Sequence, residues 1–178
     1  MLMEVIFLQG QLSQKEKMLL EDLKKEEDLC VMKYQNYAQQ AQDSQLSSLF
    51  SKLAGEEQKH HDTVDQLLQG GGPSQASLTA HAAGRIDSAT QTMKSGKSGR
   101  TSGMTGLNTS GSGGSSDQYL LQDMLSTEKY VSSAYDTGVF ESAQPNVRKA
   151  LQQIQKDEQD HGEQLYQYMS SHGMYQTQ

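Results

Sequence analysis

The sequence holds one cysteine, no tryptophan and two prolines. It has no run approaching 18 apolar residues. A lone Cys30 excludes an intramolecular disulfide framework and any multi-cysteine metal site. The missing apolar run excludes a transmembrane helix. Aliphatic residues are also scarce. Leu, Ile, Val and Phe make up 31 of 178 residues, a fraction at which composition alone begins to suggest disorder. Positive charge is in deficit as well. Fifteen Lys and Arg face 22 Asp and Glu, a net of −7, which argues against a nucleic-acid binder that neutralises phosphate.

What is there is unevenly distributed. Residues 70–116 hold 11 of the 16 glycines but only five of Leu, Ile, Val, Phe and Met. Such a stretch cannot offset its ordering entropy and reads as a flexible linker. A short helix over Ala76 to Met93 is a weaker reading of part of it. The segment carries Arg85, Lys94, Lys97 and Arg100 against Asp87, a net of +3, so the rest of the chain carries −10. Met1 to Leu8 is apolar except for Glu4, lacks a basic region and is too short for a signal peptide. Residues 1–11 are set aside as a disordered leader.

Helical periodicity covers the remainder. Leu20, Leu23, Glu27, Val31, Tyr34, Ala38 and Ala41 recur at spacings of three and four. Asp43-Ser44 breaks this stripe with capping chemistry. Leu46, Phe50, Leu53, Glu57, His60, Val64 and Leu67 form a second stripe, ended by Gly70 to Pro73. After the linker, Leu121, Met124, Glu128, Val131, Tyr135 and Val139 form a third. Pro145 suits the first turn of a fourth helix, which carries Val147, Leu151, Ile154, Glu158, His161, Leu165 and Tyr168 and ends near Gly173.

The halves superimpose without a gap at an offset of 101. Leu19, Leu20, Asp22, Glu27, Tyr34, Glu57, Gln58, His60 and Gln66 recur as Leu120, Leu121, Asp123, Glu128, Tyr135, Glu158, Gln159, His161 and Gln167. The expected fold is therefore all-α: a ferritin-like four-helix bundle of two repeated helical hairpins, 12–69 and 117–173, joined by a long flexible crossover. A 25-residue helix is roughly 38 Å long. A 47-residue Gly/Ser linker spans about the same distance, as such a crossover requires.

Four carboxylates interrupt the apolar stripes. Burial of an unpaired carboxylate is costly, yet Glu27, Glu57, Glu128 and Glu158 each sit mid-stripe. Glu27 and Glu57 lie nearly equidistant from the turn at Asp43, so an antiparallel pair sets them level; Glu128 and Glu158 flank Gln144 in the same way. Glu57-x-x-His60 and Glu158-x-x-His161 put acid and imidazole on one helix face. One Glu from each of two helices plus a Glu-x-x-His from each of two others is the ligand set of a di-iron or di-manganese carboxylate site. Two divalent ions balance four carboxylates, and oxygen ligands with two imidazoles suit Fe or Mn.

Tyr34 and Tyr135 lie two turns beyond the first-helix Glu. Either they orient ligands through hydrogen bonds, or they are core tyrosines with satisfied hydroxyls. Cys30 borders the site or is a small buried apolar residue. His61, His81 and His172 are read as solvated, and Glu141 as part of a solvated face.

The Glu and Glu-x-x-His pattern resembles the ferritin-like superfamily. Leu120-Leu-Gln-Asp-Met-Leu-Ser-Thr-Glu-Lys-Tyr and the ending Gly173-Met-Tyr-Gln resemble the Coat F family of bacterial spore coat proteins, most strongly over residues 118–176. That resemblance implies a component of the endospore coat, made in the cytoplasm without a signal peptide. It implies other coat proteins and self-association as partners, while the acidic balance and the missing apolar run argue against nucleic acid and membrane. It supplies no established reaction. Two functions follow. One is oxidase, peroxidase or catalase-like chemistry at the dinuclear site. The other is a purely structural coat role with a vestigial or empty site, to which 24 Gln and eight Tyr are suited by packing or cross-linking. An iron-storage cage is disfavoured, because the long insertion would have to fit a closed shell.

Overall fold

The computed structural model describes residues 11–70 and 112–175, with side chains from residue 116 onward in the second stretch. Most of the expected leader, the Gly/Ser-rich segment, the short helix considered within it and His81 lie outside the described residues. Those residues form four helices and no strand: α1 (Gln14–Gln40), α2 (Ser44–Leu68), α3 (Ser112–Glu141) and α4 (Pro145–Ser171).

Each boundary has a local cause. Ser13 caps α1 in a reciprocal capping box with Glu16, satisfying two helix-end N–H groups. Asp43 caps α2, its Oδ1 accepting from Gln45 N at 2.6 Å and Leu46 N at 3.2 Å. Pro145 opens α4, where the fixed φ helps and the absent N–H costs nothing. Gly70 and Gly173 follow α2 and α4 at φ of +78° and +67°, a conformation only glycine adopts without strain. α3 begins at Ser112, ahead of the expected boundary at 117. Its first turn of Ser and Gly extends the backbone ladder without an apolar side chain, so periodicity does not register it.

α1 packs along α2 and α3 along α4, with further contact of α1 with α3 and of α2 with α4. Turns of three residues join α1 to α2 and α3 to α4. Two buried acids tie the pairs together. Glu16 Oε1 accepts from Ala143 N, at 2.9 Å, in the turn between α3 and α4. Asp117 accepts from Gln42 N and Asp43 N, both at 3.0 Å, in the turn between α1 and α2. These acids are themselves 101 residues apart, so each pair caps the other's turn in the same way. Lys33 and Tyr37 of α1 also meet Asp123 of α3, at 2.6 and 2.8 Å.

The apolar core falls into two clusters. One gathers Leu20, Leu23, Val64, Leu67, Val131, Leu151 and Ile154, among others. The other gathers Leu46, Phe50, Leu53, Leu121, Met124, Leu165 and Met169. Burial of each such side chain contributes about 1.5–3 kcal/mol. Met169, rather than Tyr168, is the fully buried residue at the end of the α4 stripe. Between the clusters lies a polar layer.

Candidate metal centre

Each helix carries its part of that layer between residues of the two clusters. On α2, Glu57 and His60 lie between Leu53 and Val64; on α4, Glu158 and His161 lie between Ile154 and Leu165. On α3, Glu128 lies between Met124 and Val131. Glu27 occupies the corresponding place on α1. All six are buried. The i, i+3 spacing brings acid and imidazole together on α2 and α4, and the level register of the helix pairs does the rest.

The six groups form two overlapping sets. In one, ligand atoms of Glu27, Glu57, His60 and Glu158 all lie within 4.8 Å of one another; in the other, those of Glu57, Glu128, Glu158 and His161 do. Glu57 and Glu158 belong to both. Both imidazoles turn Nδ1 inward. His161 Nδ1 lies 2.8 Å from Glu57 Oε1 and 3.6 Å from Glu158 Oε2. His60 Nδ1 lies 3.0 Å from Glu158 Oε1 and 3.3 Å from Glu57 Oε2. The rings stack at 5.4 Å between centroids.

The tyrosines reach across the bundle. Tyr34 on α1 donates to Glu128 Oε1 on α3 at 2.5 Å, and Tyr135 on α3 donates to Glu27 Oε1 on α1. They are core tyrosines whose hydroxyls are satisfied by the buried glutamates. Burial and the adjacent carboxylates push both phenols well up.

Two further acids were not legible as site residues. His161 Nε2 lies 3.0 Å from Glu56 Oε2, and His60 Nε2 lies 3.7 Å from Asp157 Oδ2. Each imidazole thus turns its outer nitrogen toward the acid that precedes the glutamate of the other Glu-x-x-His. Glu56 and Asp157 are 101 residues apart, and that repeat was the available signal. Both read as helix-surface acids because they fall off the apolar stripe. His61, expected in solvent, is half-buried, its Nε2 3.4 Å from Asp28 Oδ1. His172 is exposed, as is Glu141, which pairs with Lys15. Cys30 is fully buried, and burial beside the glutamates pushes its thiol far up, so it is packing rather than a thiolate.

The electrostatics divide the carboxylates. Burial, then repulsion from Glu158 and Glu57, raises both Glu27 and Glu128 well above the ordinary value. Burial would raise Glu57 too, but His161 and His60 outweigh it and hold it low. Burial and Glu57 push Glu158 upward, yet the two imidazoles outweigh them and hold it below the usual range. Burial alone would depress the imidazoles. Glu158 above all raises His60, and Glu57 above all raises His161. The two imidazoles thus offset part of the negative charge that Glu57 and Glu158 bring into the layer.

The donor set fits divalent ions. Glu27 Oε2, Glu128 Oε2 and both oxygens of Glu158 make no hydrogen bond despite burial, although Glu158 Oε1 lies near the His60 ring. Carboxylate oxygens with two imidazoles, free of thiolate, suit Fe or Mn. Among the described residues, no helix is long and apolar enough to cross a membrane.

Comparison with curated proteins and with solved structures gave no match. Residues 116–178 match the Coat F domain, a stretch that holds Glu128, Tyr135, Glu158 and His161 and leaves Glu27, Glu57 and His60 outside it.

Proposed function

We propose that the protein is a component of the bacterial spore coat, a ferritin-like bundle of two repeated hairpins that holds two divalent ions, Fe or Mn, in its core. The Coat F match supports the coat assignment and the spore coat as its location. The observation that carries the metal reading is the pair of overlapping buried ligand sets sharing Glu57 and Glu158. In this reading Glu27, Glu57, His60 and Glu158 would hold one ion, and Glu57, Glu128, Glu158 and His161 the other. The ions would supply redox chemistry toward dioxygen or peroxide. Tyr34 and Tyr135 fix the terminal glutamates, Glu56 and Asp157 orient the imidazoles, and the apolar clusters on either side keep bulk water out. An oxidant-consuming coat protein would protect the spore contents.

The imidazoles beside Glu57 and Glu158 support a second reading, because they offset buried carboxylate charge without an ion. The protein then serves as a structural coat component with an empty site. Under either reading the exposed Tyr119, Tyr130 and Phe140 suit association with other coat proteins or with further copies of the chain.

Elemental analysis of protein purified without chelator separates the two. About two Fe or Mn per chain, with a higher Tm on loading, supports the metal reading. Protein that takes up neither metal and whose Tm ignores both supports the structural one. Peroxide consumption by loaded protein, lost in Glu57→Ala, then establishes catalysis.

A further inference from the structure

Among the described residues, a cavity open to the surface reaches the polar layer at Glu128 and Glu158. It lies between α3 and α4, has a volume of about 410 Å3, and is lined by Leu125, Glu128, Lys129, Ser132, Glu158 and Gly162, among others. Its volume far exceeds the ~30 Å3 that a liquid water occupies. Two of its walls are glutamates of both the terminal and the shared kind, while Lys129 is exposed.

The repeat makes this side of the bundle unlike the other. The residue 101 positions before Gly162 is His61. Its ring stands between α1 and α2, with Nε2 3.4 Å from Asp28 Oδ1 and Nδ1 3.3 Å from Gln58 Nε2 and 3.1 Å from Asp62 Oδ1. On α4 the same place holds no side chain. A Cβ added at Gly162 would meet Leu125 Cδ1 at 3.7 Å and Glu128 Cβ at 3.8 Å, ordinary contacts, so alanine fits and anything longer extends over the cavity. Glycine is among the poorest helix formers, and inside α4 it has no turn to make.

We propose that divalent ions and water-sized ligands reach the buried Glu/His layer through this α3–α4 cavity, and that Gly162 keeps it open. The inference rests on the metal reading above and adds a single-sided route to it. The carboxyl oxygens of Glu128 and Glu158 at the inner end offer an entering cation its first ligands. The polar Ser132 wall keeps the passage wet. His61 occupies the equivalent position between α1 and α2, and no glutamate of the layer lines the cavity of about 590 Å3 on that face.

The test is the rate at which metal-free protein takes up Co(II), followed by its absorbance, together with final stoichiometry and the Tm gain. Gly162→Ala should match the unaltered protein. Gly162→Leu should slow uptake about tenfold or more, equivalent to ~1.4 kcal/mol of added barrier, without changing the final stoichiometry. Ser132→Leu narrows the same cavity from α3 and should slow uptake likewise, whether or not α4 tolerates leucine. His61→Leu should leave the rate unchanged. Unchanged rates in both cavity variants, or equal slowing by His61→Leu, overturn the proposed route while leaving the metal centre intact. Absence of Co(II) uptake by the unaltered protein overturns the metal reading and the route together.

Discussion

The Tyr34 hydroxyl donates to Glu128 Oε1 across the α1–α3 contact at 2.5 Å, and Tyr135 returns the same bond to Glu27. Each helix pair thus positions the glutamate of the other. Tyr34→Phe and Tyr135→Phe keep the ring packing, including that of Tyr34 against Phe50, and remove only the donor. Each variant should remain folded and weaken metal binding by about 10–100-fold. Competition against a chelator of known affinity measures this. Unchanged affinity in both variants would show that the tyrosines only fill space.

Metal binding should release protons. Glu27, Glu128, His60 and His161 all sit above their ordinary values, and a bound ion must displace what they hold. Up to about four protons should leave per pair of ions. For the metal-free protein, raised folded values mean that these four groups stabilise the fold at low pH. That contribution declines as pH rises above 4.5 for the glutamates and above 6.5 for the histidines. Glu57 and Glu158 act oppositely: held below 4.5, they contribute above that value and lose the contribution as pH falls through their folded values. Between about pH 6 and 8 the four raised groups govern. The Tm of metal-free protein should fall across that range, and the Tm gain on loading should grow. Calorimetry with and without Mn(II), beside a pH-indicator count of released protons, tests both signs.

Glu56 and Asp157 should matter unequally. The shorter contact is His161 Nε2 to Glu56, at 3.0 Å against 3.7 Å for His60 to Asp157. Loss of the carboxylate charge in Glu56→Gln should cost about tenfold in metal affinity, and Asp157→Asn less. Imidazole NMR of each variant reports which ring loses its partner. Equal, negligible effects would return both acids to the helix surface.

The acids that clasp the turns should act on stability alone. Asp117→Ala leaves the N–H groups of Gln42 and Asp43 without their acceptor, and Glu16→Ala does the same for Ala143 and for the cap at Ser13. Each should cost ~1–3 kcal/mol and lower Tm by several degrees. The acids act at different turns and share no partner, so the double variant should be additive. Metal stoichiometry should not change, as equilibrium dialysis with Mn(II) would show.

Much of this arrangement was legible as pattern. The four stripes gave four helices, because an apolar stripe at spacings of three and four has no other way to leave water. Glu27, Glu57, Glu128 and Glu158 stood out because a carboxylate mid-stripe contradicts burial unless it has partners. The Glu-x-x-His spacing placed His60 and His161 beside them. Glu56 and Asp157 were hidden for the opposite reason: an acid off the stripe looks solvated until another helix is packed against it.

The order of residues along the chain determined which side chains had to share a helix face and at what height in the antiparallel pair they would stand. These are consequences of 1.5 Å of rise and 3.6 residues per turn. Contacts between α1 and α3 and between α2 and α4 join residues about 100 positions apart, and no helical period encodes them. Tertiary packing alone decided that Tyr34 would meet Glu128 rather than its own Glu27, that each outer imidazole nitrogen would face an acid of the opposite pair, and that Gly162 would border a cavity reaching Glu128 and Glu158.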